Sequence, residues 1–221
     1  MEIKRILSTK INEALQKYPI VALNGPRQSG KTTLSKLILP KYEYVNLEDI
    51  SKRDFAESDP KGFLETYKNG VIIAEIQYVP DLFSYLQVYT DQRQKNGEYL
   101  ITGSQNFLMS ERTSQSLAGR VAIFDLLPFS INELKMGGFT FDNWEEYLLE
   151  GSFPRKWVNK IDAFDFYDNY MRTYVERDVR MIKNISNLDL FQKFIQLLAG
   201  RTGQLFNQNS LGNELGLDNK T

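Results

Sequence analysis

Short apolar runs alternate with amphipathic stretches through the first part of the chain. Ile20-Val21-Ala22-Leu23 and Val71-Ile72-Ile73-Ala74 are continuous runs bounded by turn residues, the pattern of strands buried on both faces. Tyr42 to Leu47 alternates like a strand and ends in Glu48-Asp49. Glu98 to Thr102 ends at Gly103-Ser104, and Val121 to Leu127 is stopped by Pro128. Between these runs the spacing is helical. Ile3 to Tyr18 carries Ile3, Ile6, Leu7, Ile11, Ala14 and Leu15 on one stripe, and Thr33 to Leu39 runs until Pro40. A short helix around Phe63 to Tyr67 follows the Asp59-Pro60 break, and Leu82 to Arg93 is entered through Pro80-Asp81. Strands alternating with helices predict an α/β fold, a mainly parallel five-stranded sheet with flanking helices.

Beyond Pro128 the strand signal fades. Trp144 to Leu149, Phe164 to Lys183 and Leu188 to Leu198 read as helices, separated by breaks at Gly137-Gly138 and Gly151-Ser152-Phe153-Pro154. Asn209 to Leu217 reads as the first helix and turn of a helix-turn-helix, whose second helix should begin near Asn219-Lys220-Thr221. A truncated chain is therefore expected, a frayed C-terminal helix being the alternative. The expected division is a nucleotide-binding domain over 1–136, a helical lid over 137–200 and the start of a further domain over 201–221.

The break after the first strand carries chemistry. Gly25, Pro26, Arg27, Gln28, Ser29, Gly30, Lys31 and Thr32 match G-x-x-x-x-G-K-[ST], and Thr33 opens the helix that follows. Strand, glycine-bounded loop and helix start place backbone N–H groups and a positive dipole end around one anion. In that arrangement Lys31 reaches the β- and γ-phosphates and the Thr32 hydroxyl binds Mg²⁺.

Composition removes competing chemistry. The chain of 221 residues has no Cys and no His, which excludes a Cys nucleophile, a Ser-His-Asp triad and a Cys/His zinc site. Catalysis is left to carboxylates, Lys, Arg, hydroxyls and an oxygen-bound metal, the tools of phosphoryl transfer. A formal net charge of −1 gives no overall attraction to nucleic acid or to an acidic membrane. No apolar run has the length of a membrane span, Met1 to Arg5 lacks a signal-peptide core, and cytoplasm is the expected location.

Further positions, outside the phosphate loop, are candidates. Glu75 stands one residue past the end of the Val71–Ala74 run, where P-loop proteins with an extra strand inserted before the acidic strand use a Glu to orient water. The Asp that would help hold Mg²⁺ is replaced by Ala74, with Asp49 as a speculative substitute. Ser104 is placed to hydrogen-bond the γ-phosphate or the water, with Thr102 or Gln105 as alternatives and a plain Gly-Ser turn as the other reading. Arg120, ahead of the fifth strand, reads either as a charge stabiliser in its own or a neighbour's site or as a solvated surface charge. Arg177 and Arg180, beside Glu176 and Asp178, either touch nucleotide or pair locally.

Several strings in order resemble the AAA-type (AAA+) ATPases of bacteria and archaea known simply as ATP-binding proteins, which carry a C-terminal domain of unknown function. They are Gly-Pro-Arg-Gln-Ser-Gly-Lys-Thr-Thr-Leu, Tyr-Val-Asn-Leu-Glu-Asp, Glu-Ile-Gln-Tyr-Val-Pro, Leu-Ile-Thr-Gly-Ser-Gln, Ser-Leu-Ala-Gly-Arg and Glu-Arg-Asp-Val-Arg, spread over residues 20–180. The resemblance implies an AAA+ sheet with the phosphate-loop strand central, a helical lid and a winged-helix-like segment. It also implies Glu75 as catalytic base, Ser104 as polar sensor and Arg120 as a functional arginine. Where the family has Asp-Glu-Ile-Gln this chain has Ala74-Glu75-Ile76-Gln77, which counts against efficient hydrolysis.

The leading expectation is an ATP-binding module that hydrolyses ATP with Mg²⁺ to drive a conformational change. The alternative is a nucleotide switch or scaffold with little turnover. A homo-oligomer is compatible with either. A nucleic-acid-binding module is a third class, opposed by the seven Lys/Arg and eight Asp/Glu of residues 161–221, which leave no basic footprint.

Overall fold

The structure is a computed structural model that describes residues 3–103, 117–175 and 187–217. The chain divides into two compact units, one up to Ala163 and one from Phe164 onward.

The first unit is built on five parallel strands: β1 (Ile20–Asn24), β2 (Glu43–Asn46), β3 (Val71–Ala74), β4 (Tyr99–Thr102) and β5 (Val121–Asp125). Their spatial order is β2-β3-β4-β1-β5. β1 is thus an interior strand, next to the edge strand β5, paired Ile20↔Tyr99 on one side and Ile20↔Val121 on the other; the middle strand is β4, not the phosphate-loop strand that the resemblance implied. The strand that separates β1 from β3 is β4, which comes after both in the chain. β1, β3 and β4 are buried along their whole length, which is why they read as unbroken apolar runs. β5 ends at Asp125, two residues earlier than the apolar run implied, and half of Ile123 is exposed at this edge.

Alternation along the strands sends side chains to two cores. On one face Ile20, Ala22, Ile73, Tyr99 and Ile101 pack with α4 (Pro60–Thr66) and α5 (Leu82–Arg93) through Phe63, Leu64, Leu82 and Leu86. On the other, Val21, Leu23, Ile72 and Leu100 pack with Ile11, Ala14 and Leu15 of α1 (Leu7–Leu15) and Leu34 of α2 (Lys31–Ile38). α1 is shorter than the expected Ile3–Tyr18 helix. Ile3 and Arg5 lie ahead of it, buried, and Ile6 is exposed.

α3 (Ile50–Ser58) has no counterpart in the sequence reading, because its apolar periodicity is weak and Ala56 is its sole buried residue. It starts at Asp49, whose carboxylate accepts from Ser51 N at 2.9 Å, Ser51 Oγ at 2.7 Å and Lys52 N at 3.3 Å. Those three bonds, the Ser51 hydroxyl first, hold the Asp49 carboxyl below its ordinary pKa. Asp49 is thus the N-cap of α3. Two more short helices were not anticipated: α6 (Ile131–Met136), with a Ser130–Glu133 capping box, and α8 (Pro154–Asn159). α7 (Trp144–Glu150) lies where its pattern placed it.

In the second unit, α9 (Ala163–Tyr170) passes into a π-helical turn over Met171–Val175. α10 (Leu188–Ala199) starts at an Asn187 cap. α11 (Gln208–Leu215) starts at an Asn207 cap and ends at Gly216 in a left-handed conformation. Arg201 pairs with Glu214 and donates to Ser210 Oγ, tying the connecting turn to α11. α11 is the helix anticipated as the first of a helix-turn-helix. The continuation expected near Asn219 lies outside the described residues.

Ile11 and Leu86 are fully buried in the cores on opposite faces of the sheet. Ile11→Ala and Leu86→Ala should each cost about 2–5 kcal/mol. Sharing no partners, they should add within about 0.5 kcal/mol in the double variant, as read by urea denaturation.

Candidate functional site

Because all strands are parallel, the loops leaving β1, β2 and β3 emerge at the same edge of the sheet. The loop after β1 makes a close approach at once. Leu126 N donates to Asn24 O at 2.8 Å, and a Cβ on Gly25, whose φ is +144°, would stand 2.2 Å from Leu126 O. No side chain fits there. Gln28 (φ 61°) and Gly30 (φ 97°) are both left-handed, and Gly30 is the residue from which α2 begins. Ser29 N donates to Pro26 O, so the loop closes on itself before the helix opens. A cradle of backbone amides at a helix N-terminus results.

Lys31 is 7% exposed, and its ammonium donates to Gly25 O at 2.7 Å and Pro26 O at 3.0 Å. It lies across the mouth of its own loop. Burial lowers its pKa, the nearby Glu75 charge works against that, and Arg27 adds to it. Arg27 pairs with Glu48, from the loop after β2, at 3.7 Å. Ser29 Oγ and Asn24 Oδ1 are buried without hydrogen-bond partners. Asn24 was not anticipated, although a polar residue closing an apolar strand was the available signal.

Thr32 and Thr33 are exposed at the start of α2, and Thr32 Oγ1 lies 3.4 Å from Tyr44 Oη on β2. Ala74 pairs in register with Asn46 and with Thr102, so a methyl group stands where the acidic strand of the family carries its Asp. Thr102 is 1% exposed at this edge. Among the described residues no cluster of three acidic side chains could hold a metal ion. Thr32 nevertheless fits Mg²⁺ delivered on a triphosphate, since that ion keeps several waters and takes one or two protein ligands alongside phosphate oxygens.

Glu75 directly follows β3, is partly buried and adopts φ 56°, ψ 45°. A left-handed backbone is uncommon for a residue with a side chain and is a form of strain that collects at functional positions. Glu75 O accepts from Tyr78 N, and Glu75 Oε2 accepts from Gln77 Nε2 at 2.7 Å. The loop, Lys31, Thr32 and Glu75 are thus brought to one edge.

Arg120 is not. It precedes β5 and its carbonyl accepts from Ile20 N, at the start of β1. The site lies beyond the other end of β1, about 15 Å away at the rise of a strand. Its guanidinium is held by Asp91 through Nε–Oδ1 at 2.6 Å and Nη2–Oδ2 at 2.8 Å. This placement sets it away from its own chain's site, which leaves a neighbour's site or a plain surface charge. Ser104, Gln105, Glu176, Arg177, Asp178 and Arg180 lie outside the described residues.

A buried ion pair supports the loop from below. Arg5 Nε donates to Glu133 Oε1 at 3.1 Å, both side chains being less than a tenth exposed. Glu133 also accepts from Ile6 N and Ser130 N. Burial alone would raise its pKa, but the Ser130 and Ile6 amides and Arg5 outweigh that and hold it below the ordinary value.

The family model of the AAA domain matches residues 17–135, and that of a domain of unknown function, DUF8612, matches 141–221. Two uncharacterised mycobacterial proteins, Rv2008c of Mycobacterium tuberculosis and Mb2031c of Mycobacterium bovis, are each 30% identical over 220 residues, 99% of this chain and 49% of theirs. The chain therefore spans about half the length of these relatives. Among solved structures, the Walker-type ATPase PABY2304 of Pyrococcus abyssi superposes with a TM-score of 0.52 at 14% identity, covering 97% of this chain and 89% of that one. That likeness is one of fold.

Because the Glu133 pKa is depressed on folding, its contribution is present above the ordinary value of 4.5 and is lost as pH falls through the folded value. Urea midpoints measured from pH 7 downward should fall more steeply below that value in the parent than in Glu133→Gln.

Proposed function

Because the chain belongs to the AAA domain family, we propose that its phosphate loop binds ATP with Mg²⁺ and that the first unit hydrolyses it slowly to drive a conformational change. One observation carries the reading: Gly25 to Lys31 form a glycine-shaped amide cradle at the carboxyl end of β1, with a buried ammonium across its mouth. In this reading the loop amides and Lys31 bind the β- and γ-phosphates, and Thr32 holds the ion. The ion supplies charge neutralisation at the transferring phosphoryl group. Glu75 accepts a proton from the attacking water, with Thr102 or Ser104 as polar neighbours. Arg120, already paired with Asp91 far from its own loop, serves a neighbouring copy's site in a homo-oligomer.

A nucleotide switch with little turnover is the second reading, favoured by the methyl of Ala74 in place of a carboxylate. In both, the protein acts in the cytoplasm and the helical stretch 137–200, which crosses the division between the two units at Ala163, serves as a lid. No helix among the described residues is long and apolar enough to cross a membrane. Nucleic acid is the weakest of the partners considered, the second unit having no excess of basic residues.

Lys31→Ala should abolish or weaken ATP–Mg²⁺ binding by at least about 100-fold, a loss of two charge-assisted phosphate contacts. Calorimetry on the folded variant checks this, and unchanged affinity would remove the phosphate-loop assignment.

Ala74→Asp should raise turnover by roughly 10- to 100-fold with little change in ATP affinity. Adding Glu75→Gln should abolish the gain while ATP affinity remains. Phosphate release and equilibrium binding measured on the same preparations separate the two effects. Absence of a gain on Ala74→Asp would place the limit on hydrolysis elsewhere.

A further inference from the structure

Arg5 lies outside every sequence motif and ahead of α1, yet it is 8% exposed and has four polar partners. Besides Glu133, its guanidinium donates from Nη1 to Ser29 O at 2.8 Å and from Nη2 to Leu127 O at 2.5 Å and Pro128 O at 3.5 Å. It stacks on the Phe129 ring, 4.9 Å from the centroid. The contact to Ser29 is the one that matters, because Ser29 is inside the phosphate loop.

The Ser29–Gly30 peptide is trans and planar, so its C=O and N–H point in opposite directions. With the carbonyl drawn down onto Arg5, the Gly30 N–H must face away from Arg5. Free rotation of this peptide would otherwise be cheap. Gly30 sits at φ 97°, where glycine alone is unstrained, and a Cβ there would meet no more than ordinary contacts, Arg5 Nη1 at 3.5 Å and Pro154 Cγ at 3.8 Å. A glycine with only ordinary contacts around it allows two peptide orientations, one with N–H and one with C=O toward the anion. The second would repel phosphate.

We propose that Arg5 is a positioning residue for the phosphate loop: by binding the Ser29 carbonyl it fixes the Ser29–Gly30 peptide so that the Gly30 N–H, not the Ser29 oxygen, faces the phosphates. This rests on the reading of the loop as an ATP site. Glu133 and the carbonyls of Leu127 and Pro128 hold the guanidinium in place from three other directions. The fork geometry is specific to Arg. A Lys supplies the charge but not several fixed, coplanar donors.

The test compares Arg5→Lys and Arg5→Ala with Leu134→Ala, which removes a fully buried side chain from the small core beside Phe129 without touching the loop. Urea midpoints select conditions in which all three are folded. Arg5→Lys is expected to raise the ATP–Mg²⁺ Kd by about 10-fold or more and Arg5→Ala further, while Leu134→Ala, although destabilised, binds within about twofold of the parent. Backbone NMR without nucleotide should show the Ser29 carbonyl-carbon and Gly30 amide resonances displaced in Arg5→Lys and not in Leu134→Ala. Parental affinity in folded Arg5→Lys, or an equal loss in Leu134→Ala, overturns the assignment. Should the parent itself bind no ATP, the reading of the site fails separately, and the resonances decide the orienting role of Arg5: unmoved Ser29 and Gly30 signals in Arg5→Lys overturn it.

Discussion

All five strands run the same way, and this single constraint decides which residues can act together. A parallel sheet gathers every strand's carboxyl end at one edge, and each return to the start of the next strand must cross a face of the sheet. The crossings supply α2, α4 and α5, and together with α1, which precedes the first strand, they bury β1, β3 and β4 on both sides. That edge collects the segments leaving the strands: the phosphate loop after β1, Glu48 after β2 and Glu75 after β3. Arg27 to Glu48 is one contact across that edge, and the Glu75 charge also acts on the Lys31 ammonium there.

The parts of the fold that were legible in the sequence are those governed by local pattern. Continuous apolar runs announce central parallel strands, and the phosphate loop is contiguous, so its spacing encodes its shape. Glu75 was placeable because it directly follows such a run. For Arg120 the sequence leaves its own site, a neighbour's and a surface charge open, although the order of elements narrows them: a residue that precedes a parallel strand lies at the amino edge, opposite the loops. α3 escaped because a helix lying on the surface with one buried residue has almost no apolar period. The Ser130-x-x-Glu133 box was readable as a helix start. The second use of Glu133 was not, since its ion pair joins residues 128 apart in the chain. Arg5 is the extreme case. Its partners come from three places, the phosphate loop, Leu127-Pro128 and Glu133, and nothing local marks it beyond an arginine set among Ile3, Ile6 and Leu7.

Ala74 shows how little the fold depends on its chemistry. The residue is buried, keeps its register with Asn46 and Thr102, and its carbonyl still accepts from Leu47 N. Backbone bonds hold the strand whatever the side chain. The unexpected neighbour of Thr32 is Tyr44, whose ring also covers the Lys36 ammonium at 4.0 Å. The hydroxyl proposed for the ion thus meets a phenol, and the end of β3 offers a methyl, not a carboxylate. The architecture of a nucleotide site and its catalytic charge are therefore separable properties of this chain.

The left-handed backbone at Glu75 has a consequence for how this position can drift over evolutionary time. Its φ of 56° is tolerated by Gly and, next, by Asn and Asp, and is punishing for Val, Ile or Thr. The tight 3₁₀ turn over Ile76–Tyr78 begins from that same residue and seats Ile76, fully buried, in the core under α5. Every replacement at 75 is thus screened by main-chain shape before the loss of a carboxylate is felt. Lineages that abandon the acid should pass through small amides or glycine, leaving the turn, and the core beneath it, as they were.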